Sequence, residues 1–158
     1  MGEDAPRARV DHVGIAVEDV ESAEPLLTAL GCRRLVDDVV EDRFRWVYYE
    51  LGGGSRIELI EPVAEESFLT DYLDRNGPGL HHVTIEVTDI DTMTATLEAA
   101  GFEIVDRAAY DEWIEAFVSP RNPTGTLFQL MEYTARYGEN GEHTAADLVV
   151  GDRRLSTE

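Results

Sequence analysis

Residues 12–17 alternate in character, with Val13, Ile15 and Val17 apolar on one side and His12, Gly14 and Ala16 on the other. That period of two predicts a strand with one buried face. The pattern returns downstream, where Val83, Ile85 and Val87 oppose His82, Thr84 and Glu86. A helical stretch follows each copy. In the first, Asp19 or Ser22 caps, Pro25 fits a first turn, Leu26, Leu27 and Leu30 supply apolar positions, and Gly31 ends the run. In the second, Asp89 caps, Met93 and Leu97 fall four apart on one face, and Gly101 ends it. Strand patterns come next, at 33–39, 45–51 and 56–60 in the first copy and at 103–107, 113–119 and 126–133 in the second. Their last turns are Gly52-Gly53-Gly54-Ser55 and Pro120-Arg121-Asn122-Pro123-Thr124-Gly125. Both halves read β-α-β-β-β.

The two halves are copies of one another. Shifted by seventy positions, the stretch beginning at Asp11 lies over the stretch beginning at His81 without a gap. His12/His82, Val13/Val83, Ile15/Ile85, Val17/Val87, Asp19/Asp89, Leu27/Leu97, Ala29/Ala99 and Gly31/Gly101 are identical. Between the halves, 67–75 carries Phe68, Leu69, Tyr72 and Leu73 at helical spacing, and Asn76-Gly77-Pro78-Gly79 terminates it. After Tyr133 the chain is polar with little periodicity, which predicts a mobile or partner-draped tail. The expected fold is α+β: two βαβββ repeats forming a cupped, eight-stranded mixed sheet with helices on the outer face. The modules span 9–62 and 80–133, with a connector helix in 63–79 and the tail in 134–158.

Parity then places the polar residues. If the Val/Ile faces meet the helices, His12 and His82 fall on the opposite face, in the hollow of the sheet. Glu58 in Arg56-Ile57-Glu58-Leu59-Ile60 faces the same way, because its apolar neighbours need the helices. Its repeat mate is Gln129, seventy-one positions on. Two imidazoles, a carboxylate and an amide oxygen on an apolar-walled floor form a ligand set for a divalent transition metal with room for substrate. Burying four such groups without partners at strand centres would be costly. His81 has the other parity and is expected outside, against the connector.

Composition narrows the function classes. The 158 residues make one domain's worth of chain, and the single cysteine, Cys32, cannot form an internal disulfide. Cys32 lies in an apolar-periodic stretch and reads as a packing residue. Against 33 acidic residues stand 13 basic ones, all Arg, for a formal net charge of −20. That field opposes binding to nucleic acid or an anionic membrane. With lysine absent, it suggests a halophilic protein adapted to a salty cytoplasm. Without a long apolar run, and with an acidic opening, the protein is expected to be soluble and cytoplasmic.

The motifs together resemble the vicinal-oxygen-chelate superfamily, and within it the methylmalonyl-CoA epimerases. The matching stretches are Asp11-His12-Val13-Gly14-Ile15-Ala16-Val17, Ile57-Glu58-Leu59-Ile60-Glu61-Pro62, Gly77-Pro78-Gly79-Leu80-His81-His82-Val83 and Gly125-Thr126-Leu127-Phe128-Gln129-Leu130. The resemblance implies one divalent metal (Zn, Co, Mn, Ni or Fe) on His12, Glu58, His82 and Gln129. It also implies proton abstraction beside a thioester or ketone carbonyl, with the metal offsetting enolate charge. The family usually has glutamate at the Gln129 position, and an amide can coordinate but cannot take up a proton. The family's second base lies near Arg45, Trp46 and Val47, where no carboxylate stands. Glu58 is therefore the candidate base, with Glu50, Glu86 and Glu115 as possible neighbours; Glu132 has the parity opposite to Gln129. Arg121 at the rim, with Arg45 and Trp46, is expected to bind a small-molecule substrate of acyl-CoA type. Arg43 and Arg56 could lie near Arg121. The resemblance further implies a homodimer. Lactoylglutathione lyase (glyoxalase I), Fe(II) extradiol dioxygenases and non-catalytic binding proteins of the bleomycin-resistance kind share the scaffold and remain as alternatives.

Overall fold

In this computed structural model the described residues are 8–52, 55–111, 113–134, 149–150 and 153–154. Alternation at the start of the first copy becomes strand β1 (Ala8–Ala16), followed by helix α1 (Val20–Ala29) and strands β2 (Arg33–Val40), β3 (Phe44–Glu50) and β4 (Arg56–Pro62). The connector is α2 (Phe68–Asn76). The second copy gives β5 (Gly79–Val87), α3 (Ile90–Ala99), β6 (Ile104–Ala109), β7 (Trp113–Val118) and β8 (Leu127–Tyr133). Among the described residues both expected βαβββ modules are thus present, with eight principal strands and three helices. The chain divides into two compact units, one of His12–His81 and the other of Met1–Asp11 with His82–Glu158.

The first unit orders its strands β2-β3-β4-β1, antiparallel except for the parallel pair β1/β4, in which Gly14 stands opposite Glu58. Its core joins Val17, Val20, Leu27, Cys32, Val47, Tyr49 and Leu59, so Cys32 is a packing residue as expected. The second unit repeats the plan as β5-β8-β7-β6, with β5 parallel to β8 and Thr84 opposite Gln129. Val87, Ile90, Ala116, Val118 and Leu130 form its core, with Met93 and Leu97 packed against them. Each unit even carries the same irregularity, a register shift between Arg34 and Val36 in one and between Ile104 and Asp106 in the other. Such a shift bends an outer strand and strengthens its twist.

Three local features refine the expectations. Asp19, and not Ser22, caps α1: its carboxylate accepts from the Ser22 backbone N–H, as Asp89 accepts from Thr92 at α3. Pro25 consequently lies in the second turn, where it forgoes one bond to the carbonyl of Glu21. Of the two leucines on α1 and the Leu30 that caps its C-terminus, only Leu27 is buried; Leu26 and Leu30 are exposed. Finally, β2 and β3 meet in a tight hairpin whose central residues, Glu41 and Asp42, both have positive φ, at 47° and 54°. Two positive φ values match the strand twist, a conformation usually given to Asn or Gly.

Gly31 and Gly101 close their helices at φ of 91° and 92°, the left-handed region in which a side chain would be strained. Gly53 and Gly54 of the expected Gly-rich turn lie outside the described residues, although Leu51 N–H bonds the Ser55 carbonyl at 2.9 Å across it. Most of the expected tail also lies outside them; within 134–158, β9 (Val149–Val150) and β10 (Arg153–Arg154) pair antiparallel. Among the described residues no helix is long and apolar enough to cross a membrane.

Candidate functional site

In the first unit the parallel register of β1 and β4 fixes the geometry. Gly14 faces Glu58, and His12 lies two residues earlier on the same side of its strand. The other side carries Ile15, Val17, Ile57 and Leu59 into the core. His12 is 1% exposed and Glu58 8%. Their Nε2 and Oε2 atoms are 3.8 Å apart, too far for a hydrogen bond. Two ligands on one cation, each bonded at about 2.0–2.2 Å, span up to roughly 4.4 Å. The spacing and the donor types therefore fit a shared metal.

The wall around this pair comes from β3 and the start of β4. Tyr48 stands opposite Glu58, and its hydroxyl lies 3.2 Å and 3.4 Å from the two ring nitrogens of His12. Trp46 packs edge-on to Tyr48 with centroids 5.2 Å apart. Arg56 is buried, and its guanidinium sits 5.2 Å over the Tyr48 ring, a cation–π contact in a desolvated place. Trp46 thus shares a face with Glu58. Arg45 does not. It alternates with Trp46, points to the helix side, and is held by Asp37 at 2.7 Å and Glu21 at 2.9 Å, with Glu61 at 3.6 Å. Its expected role in substrate binding is corrected: neighbouring carboxylates occupy this guanidinium, which in turn holds the Asp37 carboxyl below its ordinary range.

The second unit has the same frame with different chemistry. His82, Thr84 and Glu86 share the face of β5 that points away from the core, and all three are buried. Gln129, opposite Thr84, accepts from the Thr84 hydroxyl on Oε1 at 2.6 Å and donates from Nε2 to Glu115 Oε2 at 2.9 Å. Trp113 Nε1 also donates to that carboxylate oxygen, at 3.3 Å. Burial raises the Glu115 pKa, and the donors from Trp113, Gln129 and Tyr110 oppose the rise. Glu86 is paired with Arg9, whose Nη2 approaches to 2.7 Å.

The family model described as the glyoxalase/bleomycin resistance protein/dioxygenase superfamily matches residues 11–117. The chain belongs to that superfamily. Among the relatives of this superfamily member is the Bacillus subtilis uncharacterized protein YqjC, 32% identical over 78% of this chain and 91% of its own. The ethylmalonyl-CoA/methylmalonyl-CoA epimerase of Cereibacter sphaeroides is 31% identical over 77% of this chain and 96% of its own. The crystal structure of methylmalonyl-CoA epimerase from Mycobacterium tuberculosis superposes with a TM-score of 0.71 at 29% identity, covering 79% of this chain and 87% of that one.

The remaining sequence candidates of this superfamily member fall into place by partner. Glu50 is bound to Arg33 at 2.6 Å. Glu132 turns to the helix side, where it accepts from Ile90 N–H at 3.4 Å. His81 packs against the connector as expected, 4.7 Å from the Tyr72 ring centroid and edge-on to it. Arg121 is exposed in the turn after β7, its backbone N–H bonded to Ser119 Oγ. Arg43 is exposed beside Glu41, with 3.8 Å between them. The sequence reading missed three things: the burial of Arg56, the approach of Tyr48 to His12, and the two partners of Gln129. Gly14 against Thr84, a mismatch at mated positions of the repeat, was the available signal for the last.

Proposed function

We propose that this protein is a metal-dependent isomerase of acyl-CoA thioesters, inverting the carbon next to the carbonyl as methylmalonyl-CoA epimerases do. The observation that carries the reading is the buried His12–Glu58 pair at 3.8 Å, a spacing suited to coordination, in a chain 31% identical to a full-length epimerase. The metal ligands in this reading are His12, Glu58, His82 and Gln129, the set implied by the family resemblance. A divalent metal supplies positive charge that stabilises the carbonyl oxygen as the neighbouring C–H bond breaks.

The chain's own residues do the rest. Glu58 takes the C2 proton, being the carboxylate of the set while Glu50 and Glu86 are tied to Arg33 and Arg9, and a proton from solvent returns to the opposite face of the carbon, which inverts it. Trp46 and Tyr48 shield the Glu58 side from bulk water and bound the acyl group, which strengthens every charge interaction near Glu58. Arg121, exposed in its turn, is the residue we assign to the CoA phosphates.

The test is metal analysis of protein purified in high salt, together with deuterium uptake at C2 of methylmalonyl-CoA in D2O. We expect one metal per chain and loss of the C2–H signal. Metal without uptake would overturn the epimerase reading. Turnover of a methylglyoxal–thiol adduct or a catechol would assign the chain to another branch of the superfamily.

A further inference from the structure

The two modules differ at three mated positions, and the differences form one device. Where the first has Gly14, Glu58 and Trp46, the second has Thr84, Gln129 and Glu115; Trp46 and Glu115 each stand on the strand next to the polar residue, two positions before the one directly opposite it. Glu58 faces a residue with no side chain. Gln129 is gripped from both sides, by a hydroxyl at 2.6 Å and a carboxylate at 2.9 Å.

An ionised carboxylate can only accept, so Glu115 requires a donor from position 129. The amide supplies it through Nε2, and its oxygen is thereby turned toward Thr84. A glutamate at 129 would bring two carboxylates into hydrogen-bonding distance in a partly buried place, where like charges repel strongly. We propose that Glu115 is a positioning residue that makes position 129 an amide and fixes the direction of its oxygen. Gln129 serves as a neutral oxygen donor beside the Glu115 carboxyl group, which stands one strand away on β7. The effect on metal binding rests on the metal reading above. The coupling of residues 115 and 129 does not.

Five proteins are compared in concentrated KCl: wild type, Gln129→Glu, Glu115→Gln, Glu115→Ala and the exchange Glu115→Gln/Gln129→Glu. Thermal unfolding is followed for each, and Co2+ affinity is measured by titration calorimetry. Gln129→Glu should melt well below wild type or fail to fold. The exchange variant, which restores one carboxylate facing one amide, should recover most of that loss. Glu115→Ala, which removes the acceptor altogether, should weaken Co2+ by about ten-fold or more, the effect of losing a partner that orients a ligand. If Gln129→Glu melts with wild type, or the exchange is no better than the sum of the single changes, the coupling is refuted. If Glu115→Ala leaves a measurable Co2+ affinity unchanged, the positioning role is refuted. Wild type that binds no Co2+ would refute the metal reading, and the melting cycle would then decide the coupling alone.

Discussion

Glu61 Oε2 accepts a hydrogen bond from the backbone N–H of Val20, at 2.8 Å. That N–H is the first of α1 and has no partner within the helix. Glu132, the repeat mate seventy-one positions on, accepts from Ile90 N–H at the start of α3 at 3.4 Å. Each last strand of a module thus places a negative charge on the positive end of that module's helix. Glu61→Ala should cost about 1 kcal/mol, from the lost bond and the lost charge together. Glu132→Ala should cost less, since its bond is longer. Denaturant midpoints at fixed high salt read both, and an equal or reversed order would contradict the assignment.

Arg45 gives a pH dependence with a definite sign. Its hydrogen bonds hold the Asp37 carboxyl below the ordinary aspartate value, and burial opposes them only in part. A lowered folded-state pKa contributes stability above the unfolded value of about 3.9, and that stability is lost as pH falls through the folded value. Arg45→Gln removes the cause. Its acid-unfolding midpoint should move to higher pH, while stability at neutral pH falls by up to about 1 kcal/mol, the range for a partly exposed pair. A midpoint unchanged by Arg45→Gln would show that the pair contributes nothing to acid stability.

Removal of a proposed metal ligand should separate binding from folding. Glu58→Gln keeps the shape of the side chain and removes the charge, so the two units should fold while metal content drops from one per chain to a small fraction. His12→Ala should lose metal as well. It should also be destabilised by about 1–3 kcal/mol, because a buried ring that touches Tyr48 is gone. Metal analysis beside near-ultraviolet circular dichroism makes the distinction. Full metal occupancy in both variants would remove His12 and Glu58 from the ligand set.

What could be read from the sequence follows from how local each cause is. The strands and the three helices were legible because their hydrophobic periods are local and were written twice. His12 and Glu58 were legible because parity depends only on counting along one strand. Arg45 was misplaced although the same counting was available: it alternates with Trp46, and the pair could not both face substrate. The hairpin at Glu41 and Asp42 was not legible, since neither residue is a usual choice for positive φ. Nor were the partners of Gln129. They depend on the register between three strands, which no single stretch of sequence carries. The choice between Asp19 and Ser22 as the cap stayed open in the sequence for a similar reason, because Glu61, forty-one residues beyond Val20, helps to fix where α1 begins.

The net charge of −20 makes salt the strongest solution variable. Two like charges about 10 Å apart repel by roughly 0.4 kcal/mol in water before screening, and an excess of twenty makes many such pairs. Raising salt from 0.1 M to 1 M shortens the Debye length from about 10 Å to about 3 Å and removes most of this repulsion. The same screening weakens surface ion pairs such as Arg33–Glu50 and Arg107–Asp91, each worth at most about 1 kcal/mol. With few Arg to pair and many acids left over, relief of repulsion outweighs loss of attraction. The melting temperature should therefore rise steadily from 0.1 to 3 M KCl. It should rise less in a variant with several exposed glutamates changed to glutamine, which separates charge screening from general salting-out. A flat profile, or an equal rise in the neutralised variant, would mean that the acidic surface is not an adaptation to salt.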